Sequence, residues 1–482
     1  LKAAVQQILY LFSSFFIEKP SRQNLVAAQG ASNYDGRCGK LYLNKKWRAN
    51  MRAAFYTLGC KVNQYETQIL EQIFYDNGFD IVPPDSGADI FVINSCTVTS
   101  SGDKKTRQAL RRFKRANPLA VAALTGCFPQ AFPDAAEKIP EADVITGSYN
   151  RSSLLTNIQK YLETGERVID ITPHERGEKF ESMKASQFLD RTRAFIKVQD
   201  GCDRYCSYCI IPMARGPVRS KPLEELKEEL EGLATAGYKE VVLVGINLPF
   251  YGKETGGKLR LIDAIELACS IGGIERVRLG SLEPELLTDE DIARMAAQPK
   301  FCPQFHLSLQ SGCDATLKRM NRHYTSAEYA DIVRKLRAAF DNSAMTTDIV
   351  VGFPGETDEE FAQCVKFAQE IGFAKVHVFP YSVREGTRAA TMPNQITKAV
   401  KEIRCAELSR VMDDVRRAFL QTQVGRTEQV LFETNETALG TEGYTKNYTP
   451  VRVLADTDIR GQLRNVQLVS VSGDYCIGKL VD

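Results

Sequence analysis

Ile196-Lys197-Val198-Gln199-Asp200-Gly201-Cys202-Asp203-Arg204-Tyr205-Cys206-Ser207-Tyr208-Cys209 is the stretch on which the architecture turns. A short apolar run ends in Gly201, and three thiols follow within eight residues as Cys202-x-x-x-Cys206-x-x-Cys209. A loop this tight can wrap three thiolates around one compact centre, and thiolates are the usual ligands of iron–sulfur clusters. Zinc is the competing reading, but structural zinc takes four ligands in two pairs, and no second pair is spaced to match. Three ligands on a four-iron cluster leave one iron open for chemistry.

Outward from this loop, strand-like runs alternate with helical periods. The runs are Ala194–Gln199, Val241–Val244, Arg276–Gly280, Phe305–Leu309, Thr347–Val351 and Lys375–Phe379. Between the first two, Leu223, Leu226, Leu230 and Leu233 define one face of a helix over Leu223–Thr235, with Pro222 at its start, where a missing N–H costs nothing. Strictly alternating βα units predict a parallel sheet. Six units are too few for an eight-fold barrel and fit a partial barrel open on one side, over residues 188–418.

A second α/β series precedes it, over 51–163. Strands are expected at Ala53–Leu58, Ile90–Asn94, Val121–Thr125 and Ala142–Thr146, and helices at Gln64–Asp76, Lys104–Ala116 and Pro129–Ile139. Cys60 follows the first strand, Cys96 the second and Cys127 the third. In an open parallel sheet the carboxyl ends of the strands form the ligand crevice. Three cysteines at three consecutive strand ends therefore converge in space, whereas unrelated buried cysteines would not repeat one structural address. Residues 164–187 are polar and read as a linker. After a helix over Lys401–Gln421, residues 421–482 read as a small all-β barrel, with strands at Val430–Glu433, Gly443–Val453, Val466–Val471 and Ile477–Val481.

Composition narrows the class. The 482 residues are 43% hydrophobic and 25% charged, as in ordinary globular proteins. A net charge of +2 gives no general case for nucleic acid, so any basic surface is local. Thirteen cysteines in so long a chain exclude a small disulfide scaffold and point to a reducing, cytoplasmic setting. No apolar run reaches the length of a membrane span. Ile8–Ile17 is apolar but short and Glu18–Asn50 polar and aperiodic before Met51 opens a clean strand, so residues 1–50 read as a disordered extension or a mis-set start.

With both triads in place, nearly all of Met51–Asp482 resembles the radical-SAM methylthiotransferases, and within them the branch that modifies threonylcarbamoyladenosine beside the tRNA anticodon. The resemblance rests on Thr57-Leu58-Gly59-Cys60-Lys61-Val62-Asn63-Gln64-Tyr65-Glu66-Thr67, Asn94-Ser95-Cys96-Thr97-Val98-Thr99, Gly102-Asp103-Lys104-Lys105, Cys206-Ser207-Tyr208-Cys209-Ile210-Ile211-Pro212, Ala214-Arg215-Gly216, Gly352-Phe353-Pro354-Gly355-Glu356-Thr357 and His377-Val378-Phe379-Pro380-Tyr381-Ser382. Gly443-Tyr444-Thr445-Lys446-Asn447-Tyr448 resembles part of the TRAM RNA-binding domain. Departures fall at Leu248-Pro249-Phe250-Tyr251-Gly252 and at Cys313. The resemblance implies two [4Fe-4S] clusters. One, on Cys202, Cys206 and Cys209, would bind S-adenosyl-L-methionine and generate a deoxyadenosyl radical. The other, on Cys60, Cys96 and Cys127, would carry the sulfur inserted at C2 of the adenine. It further implies a SAM crevice at Gly245, Asn247, Gly352, Pro354 and Gly355, a tRNA substrate, and a flavodoxin- or ferredoxin-type reductant.

Three weaker signals remain. Lys104, Lys105, Arg107, Arg111 and Arg112 belong to the most basic helix and could cradle tRNA phosphates, although a solvated face explains them equally. Residues 421–482 carry six Lys and Arg against eight Asp and Glu, so RNA binding there rests on resemblance, with Lys446 and Tyr448 as candidates. His174, His306, His323 and His377 show no pairing in the sequence. Sibling activities on isopentenyladenosine or on a ribosomal-protein aspartate, and a non-catalytic iron–sulfur RNA-binding role, are the alternatives.

Overall fold

Why the first cysteine triad can gather is settled by the order of the N-terminal strands. The computed structural model describes residues 51–183, 192–437 and 440–481 (side chains 434–437 excepted); the expected extension over 1–50 and the end of the expected linker lie outside them. Six parallel strands run in the order Asp80–Ile81, Arg52–Thr57, Ile90–Ser95, Val121–Gly126, Val144–Thr146, Val168–Asp170. The order reverses between Arg52–Thr57 and Ile90–Ser95, and that switch point opens a crevice at the strands' carboxyl ends. Ile90–Ser95 and Val121–Gly126 are buried throughout because helices cover both faces. Two expectations are corrected here. The helix expected over Pro129–Ile139 is two short ones, Cys127–Ala131 and Pro133–Glu137, since Pro133 has no N–H with which to continue the first. Within the stretch read as a linker, Val168–Asp170 forms the sixth strand, a three-residue run too short to signal itself.

The central region carries two parallel sheets. Arg193–Lys197, Glu240–Val244 and Arg276–Leu279 form one; Ser281–Leu282, Gln304–Leu307, Ala344–Val351 and Lys375–Pro380 form the other. The chain passes between them at Gly280. The helix Leu223–Thr235 forms over the residues its leucine period marks, burying Leu226, Leu230 and Leu233. One core unites both sheets, and Val62, Tyr65 and Ile69 belong to it. The N-terminal helix Lys61–Asp76 thus lies against the edge strand Arg193–Lys197, while the long helix Lys398–Gln423 packs on Lys375–Pro380.

The C-terminal residues close into a five-stranded barrel of Thr427–Thr437, Gly440–Thr445, Pro450–Val453, Tyr475–Leu480 and Leu463–Ser472. The strand expected over Gly443–Val453 is two strands. Asn447 Oδ1 accepts hydrogen bonds from the Thr445 hydroxyl at 2.5 Å and from the Thr449 N–H at 3.2 Å, which turns the chain at Tyr448 with φ +69°.

Two buried carboxylates hold the three parts together. Glu66, on the N-terminal helix, meets Arg151 at 2.9 Å, Lys197 at 2.9 Å and Arg215 at 2.5 Å, all with side chains almost wholly buried. Glu240, at the start of its strand, meets Arg278 at 2.9 Å, Arg276 at 3.6 Å and Arg193 at 3.7 Å. The same arginines bind the C-terminal barrel: Arg276 donates to the carbonyls of Tyr444 at 2.9 Å and Gln429 at 2.5 Å, and Arg278 to that of Lys446 at 2.9 Å. Burial alone would push both carboxyls up, but the surrounding cations outweigh it and hold each at about 2.

A carboxyl held lower in the folded chain than its ordinary 4.5 adds stability that is full above that value and lost as the pH falls through about 2. Glu240→Gln leaves three buried guanidiniums short of their counter-charge, so a loss on the order of 3–5 kcal/mol is expected in denaturant titration at pH 7. The variant is also expected to lose less further stability than the parent between pH 5 and pH 3. A variant as stable as the parent at pH 7 would contradict this assignment.

Candidate active site

The first triad forms where three strand ends meet. Cys60 stands at the N-cap of Lys61–Asp76, Cys96 directly follows Ile90–Ser95, and Cys127 opens the short helix after Val121–Gly126. Backbone geometry makes the close approach possible. Gly59 has φ +110°, and a Cβ there would come within 2.7 Å of Cys96 Cβ. Asn63 sits among the three loops: its amide nitrogen donates to the carbonyls of Leu58 at 2.8 Å and Ser95 at 2.9 Å. Its Oδ1 faces the thiols of Cys60 at 3.7 Å and Cys127 at 4.0 Å.

The second triad is held by the turn of its own loop and by a neighbouring one. Gly201 has φ +74°, with no room for a Cβ against the Pro217 carbonyl. The Cys202 N–H donates to the Gly216 carbonyl and the Cys209 N–H to that of Cys206, each at 3.0 Å. Tyr205, between them, adopts φ +51°, and Asn321 donates to its carbonyl at 3.0 Å. Two sulfurs have cationic or amide donors: Arg322 on Cys206 at 3.2 Å and Asn247 on Cys202 at 3.8 Å.

Each triad interacts electrostatically within itself. Burial, and then the charge Cys127 would carry, push the Cys96 thiol up to about 12; burial also raises Cys127 and Cys209 and brings Cys202 to about 11. Three thiolates so placed cannot all ionise without a positive centre among them. Three thiolates at each site are the donor set of an iron–sulfur cluster, whereas structural zinc takes four ligands. Both triads therefore fit iron–sulfur clusters.

Arg215 joins the two. It lies six residues beyond Cys209, wholly buried, and reaches into the N-terminal crevice. Its Nε donates to Cys127 Sγ at 3.2 Å and another nitrogen to Asn63 Oδ1 at 2.6 Å, while Glu66 takes the rest of the fork. Nothing in residue spacing marks Arg215 or Asn63 for this role, because the two sit 152 residues apart and meet only across a domain boundary.

A cavity of about 470 Å³ opens beside Cys60, inside the half-barrel. Lys61, Gly245, His306, Asp348, His377 and Tyr448 are among its walls. Lys61 keeps an accessible side chain at the cavity wall; desolvation, then Arg278 and Arg193, lower its ammonium to about 8. His306 and His377, unpaired in the sequence, are neighbours with ring centroids 6.3 Å apart, each on a strand beside Ala344–Val351. A separate apolar pocket of about 340 Å³ around Phe250, Ile262 and Met295 touches none of the six cysteines.

The expected SAM-crevice residues divide. Gly245 lines the cavity, and Asn247, beside Cys202, keeps a buried Oδ1 with no hydrogen-bond partner. Gly352, Pro354 and Gly355 instead form a turn behind the cysteine loop. Phe353 packs edge-on against Tyr208, and Glu356 ties the turn to Arg404 at 2.7 Å. Thr357 then caps the helix Asp358–Ile371.

The basic residues divide as well. Lys104 and Lys105 are exposed and have no partner among the described residues. Arg107 lies over the Phe128 ring, Arg111 pairs with Glu141 at 3.1 Å and Arg112 with Asp85 at 3.8 Å. Lys446 donates to the Pro299 carbonyl at 3.0 Å, and Tyr448 stacks on Tyr444 with Arg193 and Arg278 over its ring.

Comparison with known proteins agrees with this geometry. Residues 196–368 match the Radical SAM superfamily and residues 52–147 the Uncharacterized protein family UPF0004. The chain is 37% identical to threonylcarbamoyladenosine tRNA methylthiotransferase MtaB of Bacillus subtilis, over 89% of this chain and 96% of that one. It is 36% identical to the MtaB of Thermotoga maritima, over 88% and 96%. A tRNA-2-methylthio-N(6)-dimethylallyladenosine synthase of Pelotomaculum thermopropionicum is 35% identical over 78% and 85%. Among solved structures, the radical S-adenosylmethionine methyltransferase TsrM of Kitasatospora setae shares the fold, with TM-score 0.53 at 13% identity over 71% of this chain and 74% of that one. The chain belongs to the threonylcarbamoyladenosine tRNA methylthiotransferase family of the radical SAM superfamily.

In metal-free protein, the raised thiols keep their protons at pH 8. Alkylation followed by peptide mass spectrometry is expected to find exposed Cys60 modified well before Cys96, Cys127 and Cys209. Cys96 should react about tenfold faster per pH unit until the pH approaches its raised value. Equal rates at all four positions at pH 8 would contradict the burial argument.

Proposed function

We propose that this chain installs a methylthio group at C2 of the adenine of N6-threonylcarbamoyladenosine, beside the anticodon of tRNA. The observation that carries the reading is the presence of two thiol triads, with a buried arginine six residues past the second donating to Cys127 of the first, in a chain that aligns with its curated relatives over nearly their whole length. Family membership brings [4Fe-4S] clusters and SAM as cofactors, and together they supply a substrate radical and the sulfur and methyl groups that end on it.

The protein's own residues hold, orient and exclude. Cys202, Cys206 and Cys209 would hold the cluster that supplies the radical chemistry, and Arg322 and Asn247 donate to the sulfurs of Cys206 and Cys202. Gly245 in the cavity wall and Asn247, whose buried unpaired Oδ1 stands beside Cys202, would meet SAM, while Gly352, Pro354 and Gly355 support the cysteine loop from behind. Cys60, Cys96 and Cys127 would hold the cluster that supplies the sulfur, and Asn63 and Arg215 stand beside these thiols. Lys104 and Lys105, charged and free, are the best placed to meet tRNA phosphates; Arg107, Arg111, Arg112 and Lys446 are already engaged, and Tyr448 faces the cavity. The central strands form a partial (β/α)6 barrel and the closed C-terminal barrel a TRAM domain. Their ranges are 188–418 and 421–482, after an N-terminal domain at 51–163. No helix among the described residues is long and apolar enough to cross a membrane. A cytoplasmic site of action, where tRNA and a flavodoxin- or ferredoxin-type reductant are found, completes the reading.

Deleting the gene is expected to remove 2-methylthio-N6-threonylcarbamoyladenosine from digested tRNA and leave the unmethylthiolated nucleoside in its place, read by mass spectrometry. Loss of the dimethylallyl derivative instead would assign the sibling activity. In the purified protein, Cys202, Cys206 and Cys209 changed together to Ala should leave about half the iron. With Cys60, Cys96 and Cys127 so changed, reductant-dependent deoxyadenosine formation should persist while methylthiolation is lost. Iron lost completely from either triple variant would contradict two independent sites.

A further inference from the structure

We propose that Lys61 receives the carboxylate of the substrate's threonyl group and so selects an anionic substituent on the adenine over an apolar one. This rests on the function proposed above and names the residue that reads the substituent. Lys61 is the first residue of Lys61–Asp76 and points into the half-barrel cavity, its ammonium 5.9 Å from the centre of the Phe195 ring. It makes no ion pair and no hydrogen bond within the described residues.

The arginines whose charge reaches Lys61 are already occupied. Arg193 is held by Glu240 and Glu433, and Arg278 by Glu240. Asp348, the acid among the described cavity residues, lies 3.5 Å from His306 Nε2. Lys375 is the other cavity cation without a partner among the described residues. It stands at the start of its strand, where it also lines a second cavity of about 410 Å³ against the C-terminal barrel, away from the cysteines. Lys61 is therefore the one free cation beside Cys60 among the described cavity residues, and a substituent held by it keeps the adenine next to the first triad.

The chemistry of the other walls agrees. Gln304, His306, Thr346 and His377 offer donors and acceptors to the hydroxyl and carbamoyl groups of such a substituent. An apolar substituent in the same space would strip water from the ammonium and return nothing, which penalises it directly. The volume, about 470 Å³, is in the range that holds a modified nucleoside.

The test uses the reconstituted full chain and two anticodon stem-loops, one carrying threonylcarbamoyladenosine and one its amide, in which the carboxylate is neutral. A charge-assisted hydrogen bond of this kind predicts that the unaltered enzyme loses roughly tenfold to a hundredfold in kcat/KM on the amide. Lys61→Met should lose as much on the acid and no longer distinguish acid from amide, while Lys61→Arg should keep the preference. Equal turnover of acid and amide by the unaltered enzyme would overturn the proposal, and that comparison holds even if Lys61→Met proves to lose iron. A Lys61→Met enzyme that binds its full iron and still prefers the acid would overturn it too. If the unaltered enzyme acts on a dimethylallyladenosine stem-loop and on neither threonyl form, the function reading itself fails, and this one with it.

Discussion

A single buried carboxylate decides how the two metal-binding parts of this chain face each other. Glu66 has no solvent to share its charge with, so it holds Arg151, Lys197 and Arg215 at hydrogen-bond distance. Removing four charged groups from water is costly, and the cost is offset only if all stay together in good geometry. That requirement makes the arrangement close to all-or-none. The N-terminal helix cannot slide along the barrel edge without stranding a charge, and Arg215 cannot leave the crevice without uncovering Cys127. The relative placement of the thiol triads is therefore set by this buried ion cluster together with the packing of Val62, Tyr65 and Ile69 in the central core.

Glu240 plays the equivalent part at the other end of the half-barrel. Arg276 and Arg278 use their remaining donors on backbone carbonyls of the C-terminal barrel and Arg193 pairs with that barrel's Glu433, so the same guanidiniums satisfy a carboxylate and fasten a domain. Arginine suits this because its planar fork donates in several directions at once, as a lysine could not. Between these two anchored ends, the cavity walls come from all three parts of the chain.

Much of this was legible in the sequence where the signal is local. The Cys202–Cys209 loop is readable because its spacing is its geometry, and Leu223–Thr235 because four leucines trace one helical face. The strand-end triad was legible at one remove, since βα alternation gives each cysteine the same address. Pro133 and the turn at Tyr448 broke elements that apolar content alone had joined. Asn63, Arg215 and Arg322 were not legible as partners of the thiols, because their contacts join residues far apart in sequence. The nearness of His306 and His377 needs the strand order to be seen at all, since the strand between them in space also lies between them in sequence.

Tyr448, from the C-terminal barrel, forms part of the cavity's wall. The chain is made from its N-terminal end, and domains fold largely as they emerge. All six cysteines are therefore synthesised more than two hundred residues before the cavity can be completed. While the last strands are still being made, the first triad has its full set of thiols but a cavity open at the far end. The order of synthesis thus leaves an interval in which the first triad is complete while the cavity beside it still lacks the part of its wall that Tyr448 supplies.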